Sequence, residues 1–462
     1  MPAPRDEFLA GATAAAGDGD RRGFLRRALA GYYESRDSQK ARYRDWELAR
    51  DAAATAKWTA VNRLDRNLIR FEEAFTRNGG QVHWAGDAAE ARAIIVGIIR
   101  AAGARSVVKS KCMTTEEIHL NDALEAEGFD VVESDLGEFI QQLRGEPPFH
   151  FVFPCMHLRR EEISELFGRR LGAEATASPE ELTMIARRHL RQKFLEADVG
   201  ISGANFLVAD TGQISITENE GNARLTCALP RTHIAVVGIE KVIERVEDLA
   251  LLLPMLATAG AGQLMTGYNT LYSGPRRARE VDGPEAFHIV LLDNRRTALL
   301  ADPEQRDALQ CIRCGACLNV CPIFKNIGGL SYRTTYQGPI GSVITPHLRG
   351  LRDWNHLSGA SSLCGACTEV CPVRIDLHHH LLRNRRNAVR RHGGTLDRLF
   401  HRGLGWVIVR PRVFALGGRL FRHLLPALRH LPVPFLRAWL RTRELVGGAA
   451  PSFREQWKRG ES

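Results

Sequence analysis

Cys311-Ile312-Arg313-Cys314-Gly315-Ala316-Cys317-Leu318-Asn319-Val320-Cys321-Pro322 is followed, after 41 residues, by Cys364-Gly365-Ala366-Cys367-Thr368-Glu369-Val370-Cys371-Pro372. The first run sets three thiols at successive three-residue steps and a fourth before a proline. That is the ferredoxin spacing: three thiolates from one tight loop bind one cubane iron–sulfur cluster, and the fourth crosses to the other cluster. A four-Cys zinc site normally uses two separated pairs instead. A full second copy would begin with Cys three residues before Cys364, and Ser361 stands there. The crossed rule assigns Cys311, Cys314, Cys317 and Cys371 to cluster one. Cys321, Cys364 and Cys367 go to cluster two, which is one protein thiolate short. The expected cofactors are two [4Fe-4S] clusters, the second being either [3Fe-4S] or completed by a ligand other than Cys. An all-α, two-cluster domain is expected over residues 300–392.

Asp302 to Leu309 reads as a short helix delivering the chain to Cys311. The link from Cys321 to Cys364 carries Gly328-Gly329, Tyr332, Tyr336, Gly338-Pro339, Gly341 and Pro346, and is longer than in a minimal ferredoxin. It resembles the helical insert of succinate dehydrogenase and glycolate oxidase iron–sulfur subunits. Ile312, Leu318, Val320, Ile323 and Val370 are expected to exclude water, one lever on reduction potential.

Upstream, residues 80–295 alternate helix and strand. Ala88–Ala102 is an apolar-striped helix and Ser106–Val108 a strand ending in Lys109-Ser110-Lys111. Thr114-Thr115-Glu116-Glu117 reads as a helix start, since acids suit a helix N-terminus. A helix from Ile118 to Glu127 and strands at Asp130–Glu133, Phe151–Phe153, Ile234–Val237 and His288–Asp293 follow. This rhythm predicts an α/β domain built on a parallel sheet. Phe206–Val208 and Gln213–Thr217 flank the Asp210-Thr211-Gly212 turn as a hairpin. The loop Asn219, Glu220, Gly221, Asn222 and Arg224 is a candidate ligand loop, its polar groups suited to an anion. Its plain alternative is a solvated turn held by Asn side chains. His157 and His233 are candidates for binding or proton transfer, though a lone His is more often simply hydrogen-bonded. Gly260–Arg277 reads as loop-rich linker. Residues 1–79 read as helices whose Leu25, Leu29, Trp46, Leu64, Leu68 and Phe71 serve packing.

Two segments carry a family resemblance. Val108-Lys109-Ser110-Lys111 with Thr114-Thr115-Glu116-Glu117-Ile118 resembles the start of the LUD (lactate utilization) domain. Gly203-Ala204-Asn205, Thr211-Gly212, Asn219 to Arg224 and His233 to Lys241 resemble its later motifs. That domain is similar in fold to CoA-transferase and sugar-phosphate-isomerase α/β proteins. Joined to the cysteine motifs, the chain resembles the lactate utilization protein B family, in which the second motif has only three Cys. The resemblance implies an electron-transfer subunit of a bacterial L-lactate oxidation system, with a second iron–sulfur protein and a LUD-only protein as partners. The alternative is a catalytic protein whose incompletely ligated second cluster binds a hydroxy acid as a Lewis acid. No G-x-G-x-x-G follows a strand, which argues against a nicotinamide or flavin fingerprint.

The net charge of +10 is uneven. Arg383 to Ser462 holds 18 Lys/Arg against 4 Asp/Glu, a net +14, leaving about −4 elsewhere. No groove-reading motif accompanies it, so nucleic acid is not an expected partner. From Gly403 to Leu440 the tail (393–462) alternates Arg with Trp406, Val407, Ile408, Phe414, Leu416, Leu420, Phe421, Leu424 and Leu425. Such a basic amphipathic segment docks on a partner, packs on its own chain, or lies on an anionic membrane. Three of the ten cysteines (Cys112, Cys155, Cys227) are scattered, which is no disulfide framework. With no apolar leader at the N-terminus, the expected place is the cytoplasm, with peripheral contact at the inner membrane face.

Overall fold

The computed structural model describes residues 3–428, 440 and 453–460. Residues 1–388 form one compact unit and residues 389–462 another.

The first unit opens with four helices, α1 (Pro4–Gly17), α2 (Gly19–Lys40), α3 (Trp46–Asn62) and α4 (Leu64–Arg77). The carboxylates of Asp18 and Asp45 accept backbone N–H bonds at the starts of α2 and α3, supplying partners that a helix N-terminus lacks. This opening stretch is helical as expected, and α3 and α4 are separated at Arg63, which sits at φ −117° and ψ 32°. Buried on α3 are two cations, Arg50 and Lys57, both bound to backbone carbonyls of later segments.

Ten strands follow: β1 (Gln81–Ala85), β2 (Ser106–Lys109), β3 (Asp130–Glu133), β4 (Val199–Ser202), β5 (Phe206–Val208), β6 (Gln213–Glu218), β7 (Thr232–Gly238), β8 (Val242–Ile243), β9 (Tyr268–Tyr272) and β10 (Ala286–Leu292). Six make an all-parallel sheet in the order β1-β10-β7-β4-β2-β3. The mixed α/β class with a parallel sheet is thus as expected. Side chains alternate across it. Ile234, Val236, Val290 and Leu292 face helices Ala88–Ala101 and Leu120–Ala126 through Ile95, Ile99 and Leu124. Ala235, Val237, Ile289 and Leu291 face Phe71 and Phe75 of α4 and a second sheet, β8-β5-β6-β9.

Three local expectations within the α/β part are corrected. Phe151–Phe153 is a bend, not a strand; the backbone N–H groups of Val152 and Phe153 both donate to His150 Nδ1 rather than to a neighbouring strand. Gly260–Arg277 is not all linker: β9 pairs antiparallel with β6 and completes the second sheet. The helix expected from Ile118 to Glu127 begins at Leu120, because His119 turns into the left-handed region at φ 51°.

Past Ala301 the chain is helical and short-jointed. The helix expected at Asp302–Leu309 is a 3₁₀ turn, Arg306–Gln310. The insert between the cysteine motifs is led by Pro322–Ile327 and Gly338–Arg349. Its Phe324, Tyr332, Ile340 and Val343 share one core with Phe8 of α1, Leu25 and Leu29 of α2, and Leu252 and Met255 of the helix Leu249–Ala261. The α/β part and the cysteine-rich part therefore have a common interior.

In the second unit the described helices are Thr395–Ile408, Pro411–Leu428 and Phe453–Arg459. Leu399, Phe400, Trp406, Phe414, Leu420 and Phe421 are exposed, as an amphipathic stripe would leave them. The side chains of Arg422 and Leu425 and residues 429–439 of the expected stripe lie outside the described residues. Among the described residues no helix is long and apolar enough to cross a membrane.

Candidate metal centre and the adjoining cavity

All ten cysteines are free thiols. The cysteines of the two motifs lie close enough to act on one another. Cys314 lies in the electrostatic field of Cys311 and Cys371, and Cys317 in that of Cys311, Cys314 and, more weakly, Cys367. Cys367 lies in that of Cys321 and Cys364. Cys371 thus acts on Cys314 of the first loop, and Cys321 on Cys367 of the second. Cys317, Cys367 and Cys371 are buried and Cys364 is exposed.

Each ligand loop turns the same way. Gly315 and Gly365 both sit at φ 82°, a conformation that glycine adopts without a Cβ penalty, and each leads into a short helix carrying the next Cys. Backbone amides point at the sulfurs. Arg313 N–H donates to Cys311 Sγ (3.4 Å) and Ile375 N–H to Cys371 Sγ (3.3 Å). Amides of Ala316, Ile340 and Phe324 favour the ionised forms of Cys314, Cys317 and Cys321.

These donors fit an iron–sulfur cluster better than a single ion. Zn–S bonds of about 2.3 Å would bring sulfurs to about 3.8 Å of one another. Among the described residues, only Asp376, His378 and His379 bring three donors within 4.8 Å; no three cysteines do. Burial, then mutual repulsion, pushes the Cys371 thiol up to about 11 and that of Cys367 to about 12. Grouped ionised thiolates here therefore need a compensating cation, which cluster iron would supply. Of the expected water-excluding residues, Ile312 and Leu318 are buried, while Val320, Ile323 and Val370 are half-buried.

Beside this centre lies a cavity of about 380 Å³, within the range of small-molecule sites. It sits at the carboxyl ends of β2 and β4, on Ser110, Lys111 and Cys112 and on Gly203, Ala204 and Asn205. From β2 the chain steps outward to β3 and then returns to β4 on the other flank. This is a topological switch point, where open α/β sheets bind ligands. The cavity is also lined by Arg313 and Cys314 of the first cysteine loop and by Tyr336 of the insert.

Three cations border the cavity. Lys111 Nζ donates to the Val152 carbonyl. Lys241 is buried, its ammonium pushed down to about 8 by burial and by Arg313. Arg313 stacks 4.6 Å from the centre of the Tyr336 ring and pairs with Glu240 (3.1 Å), and its buried Nη1 has no hydrogen-bond partner. Asp135, Glu218 and Glu220 bring carboxylates to the same cavity. Burial, then Asp135, raises Glu220 to about 7.

The candidate loop lies only partly at the cavity. Asn219, Glu220 and Asn222 line it; Gly221 and Arg224 do not. Gly221 takes φ 79° at the start of a seven-residue helix. Arg224 lies over the Tyr268 ring, 4.8 Å from its centre. Asn219 Oδ1 accepts from Gly267 N–H (2.8 Å), so part of this loop is structural. His157 stacks on Phe149 and His233 on Phe287, and burial lowers them to about 4 and about 3. Neither lines the cavity. Sequence reasoning missed Lys241, Arg313 and Tyr336 as cavity residues. Arg313 is visible only as a charged residue inside the ligand loop.

A buried ion network ties the sheet to the cluster loop. Arg296 donates to both oxygens of Glu117 (2.9 and 2.8 Å) and to Glu240 Oε2 (2.5 Å). Tyr336 O–H donates to Glu117 (2.7 Å), and Arg313 closes the set on Glu240.

Two family models match the chain: the LUD domain over residues 68–292 and the 4Fe-4S dicluster domain over residues 307–375. "Lactate utilization protein B" of Shouchella clausii is 42% identical over 94% of both chains. The chain belongs to the lactate utilization protein B family. A Bacillus subtilis protein of that name is 44% identical over 80% of this chain and 78% of its own. Another relative is "Uncharacterized electron transport protein YkgF" of Escherichia coli, 47% identical over 74% of this chain and 72% of its own. A solved DUF162 family protein from Deinococcus radiodurans covers 50% of this chain and 98% of its own, at 16% identity. Its TM-score of 0.28 is too low to bear on the family's fold.

Proposed function

We propose that this chain is the iron–sulfur electron-transfer subunit of an assembly that oxidises L-lactate to pyruvate, with a second iron–sulfur protein and a LUD-only protein as partners. Cys311, Cys314, Cys317 and Cys371 hold one [4Fe-4S] cluster; Cys321, Cys364 and Cys367 hold the second. Clusters of this kind supply one-electron transfer. The observation that carries the reading is the cavity at the sheet's switch point, walled by the ligand Cys314. A small carboxylate held there by Arg313 Nη1 and Lys241 would lie against cluster one. The names of the relatives, lactate utilization protein B and an electron transport protein, support the same reading. The basic tail serves docking, on a partner subunit or at the inner membrane face.

The test is anaerobic mixing of the full assembly with L-lactate, followed by the visible absorbance of the clusters. Bleaching is expected, and it should slow at least about tenfold in Lys241→Met, the loss of about one charge-assisted hydrogen bond. Absence of bleaching in the complete assembly would sink the proposal. Bleaching of the isolated chain by lactate alone would instead make it catalytic by itself.

A further inference from the structure

The second cysteine loop has the shape of the first, with Ser361 where the first has Cys311. Leu363 stands at φ 56° and its counterpart in the first loop, Arg313, at φ 59°. Neither is glycine, so each pays a steric cost to stay left-handed. Gly365 repeats the φ of Gly315, with ψ −15° against −5°. In the first loop Arg313 N–H donates to the ligand atom Cys311 Sγ at 3.4 Å. In the second, Leu363 N–H donates to Ser361 Oγ at 3.1 Å. The Ser361 oxygen thus occupies the place of the ligand sulfur within an otherwise repeated turn. Its backbone is pinned too: Arg385 donates to the carbonyls of Ser358 (2.8 Å) and Ser361 (3.2 Å).

We infer that Ser361 is the fourth protein ligand of cluster two, through its hydroxyl oxygen. Binding forms one O–Fe bond and releases the hydroxyl proton to solvent; no electron moves. Oxygen is a harder donor than sulfur, so the two clusters become chemically unequal although their loops are alike. The inference rests on the two-cluster reading above, and it removes the open iron that Lewis-acid catalysis at cluster two would need.

The test uses the full chain, purified and reconstituted anaerobically, with iron analysis, Mössbauer and EPR spectra. Wild type is expected to hold about eight irons, as two four-iron clusters. Ser361→Cys should keep about eight. Ser361→Ala should fall to about seven or below, with the EPR signal of an oxidised three-iron cluster. Wild type at about seven irons, or Ser361→Ala at about eight with an unchanged spectrum, overturns the inference. Ser361→Ala also removes the acceptor for Leu363 N–H, so a measurement on wild type stands beside it. In ¹⁷O-labelled water the reduced cluster-two signal should not broaden; broadening means water holds that iron and overturns the assignment. Wild type with fewer than about four irons defeats the two-cluster reading itself.

Discussion

Arg296 is the residue on which the buried charges balance. It is 1% exposed and holds Glu117 and Glu240, themselves buried. Replacing it with Met leaves two carboxylates in a dry interior. Breaking a buried pair from one side costs roughly 3–5 kcal/mol. Urea denaturation of Arg296→Met should show that loss as a lower midpoint with an unchanged slope. Glu240 adds a pH signature. Burial alone would raise its carboxyl, but Arg296 and then Arg313 overcome this and hold it at about 2, against 4.5 when exposed. A depressed carboxyl contributes stability that is complete above about pH 4.5 and lost as pH falls toward about 2. Urea midpoints measured across that window should fall, and should fall less steeply in Glu240→Gln. None of this could be read from the sequence. Glu117, Glu240 and Arg296 lie 56 to 179 positions apart, and only the folded sheet makes them neighbours. The cysteines were legible because their chemistry is local: three donors within seven residues already define a loop.

At the scale of elements, the insert between the motifs docks by close backbone approach. A Cβ on Gly329 would stand 1.6 Å from the Phe149 carbonyl oxygen. Gly329→Ala should therefore destabilise by more than about 3 kcal/mol, or give insoluble protein, as backbone clashes do. Gly359→Ala, which meets open space, should stay within about 0.5 kcal/mol. Thermal melts of the two variants decide it. The parallel sheet was legible because helix and strand periods alternate over a long span. Phe151–Phe153 misled because a three-residue apolar run has no period of its own. Burial there comes from the cluster loop: Val152 packs 2.8 Å from the Cβ position of Gly315. β9 was hidden for the opposite reason. It is a half-exposed edge strand whose partner, β6, lies some fifty residues upstream, so hydrophobicity does not announce it.

For the whole molecule, residues 1–388 form one compact unit and the tail forms its own. A chain ending at His392 should keep its melting midpoint within about 2 °C and its full iron content, since little stability is removed. Loss of iron on truncation would show that the tail supports the centre. Composition pointed to the tail's separateness through charge, whereas the common core of the two larger parts was invisible to motif reading. Motifs mark where chemistry is, not how deeply neighbouring segments interpenetrate.

Helix α3 carries a consequence for maturation. Its Arg50 donates to the Cys371 carbonyl (3.0 Å), and about two turns further on the helix offers Lys57 to the carbonyls of Glu240 and Val242 (2.8 and 3.1 Å). A single rod thus clasps the last cysteine of the centre and the strand edge of the α/β part. Iron held at Cys371 is therefore expected to steady the α/β part as well as its own loop. Iron-free chain should exchange the amide hydrogens of β7 and β8 faster than loaded chain, as hydrogen–deuterium exchange would record. Oxidative loss of iron would accordingly surface as turnover of the whole polypeptide.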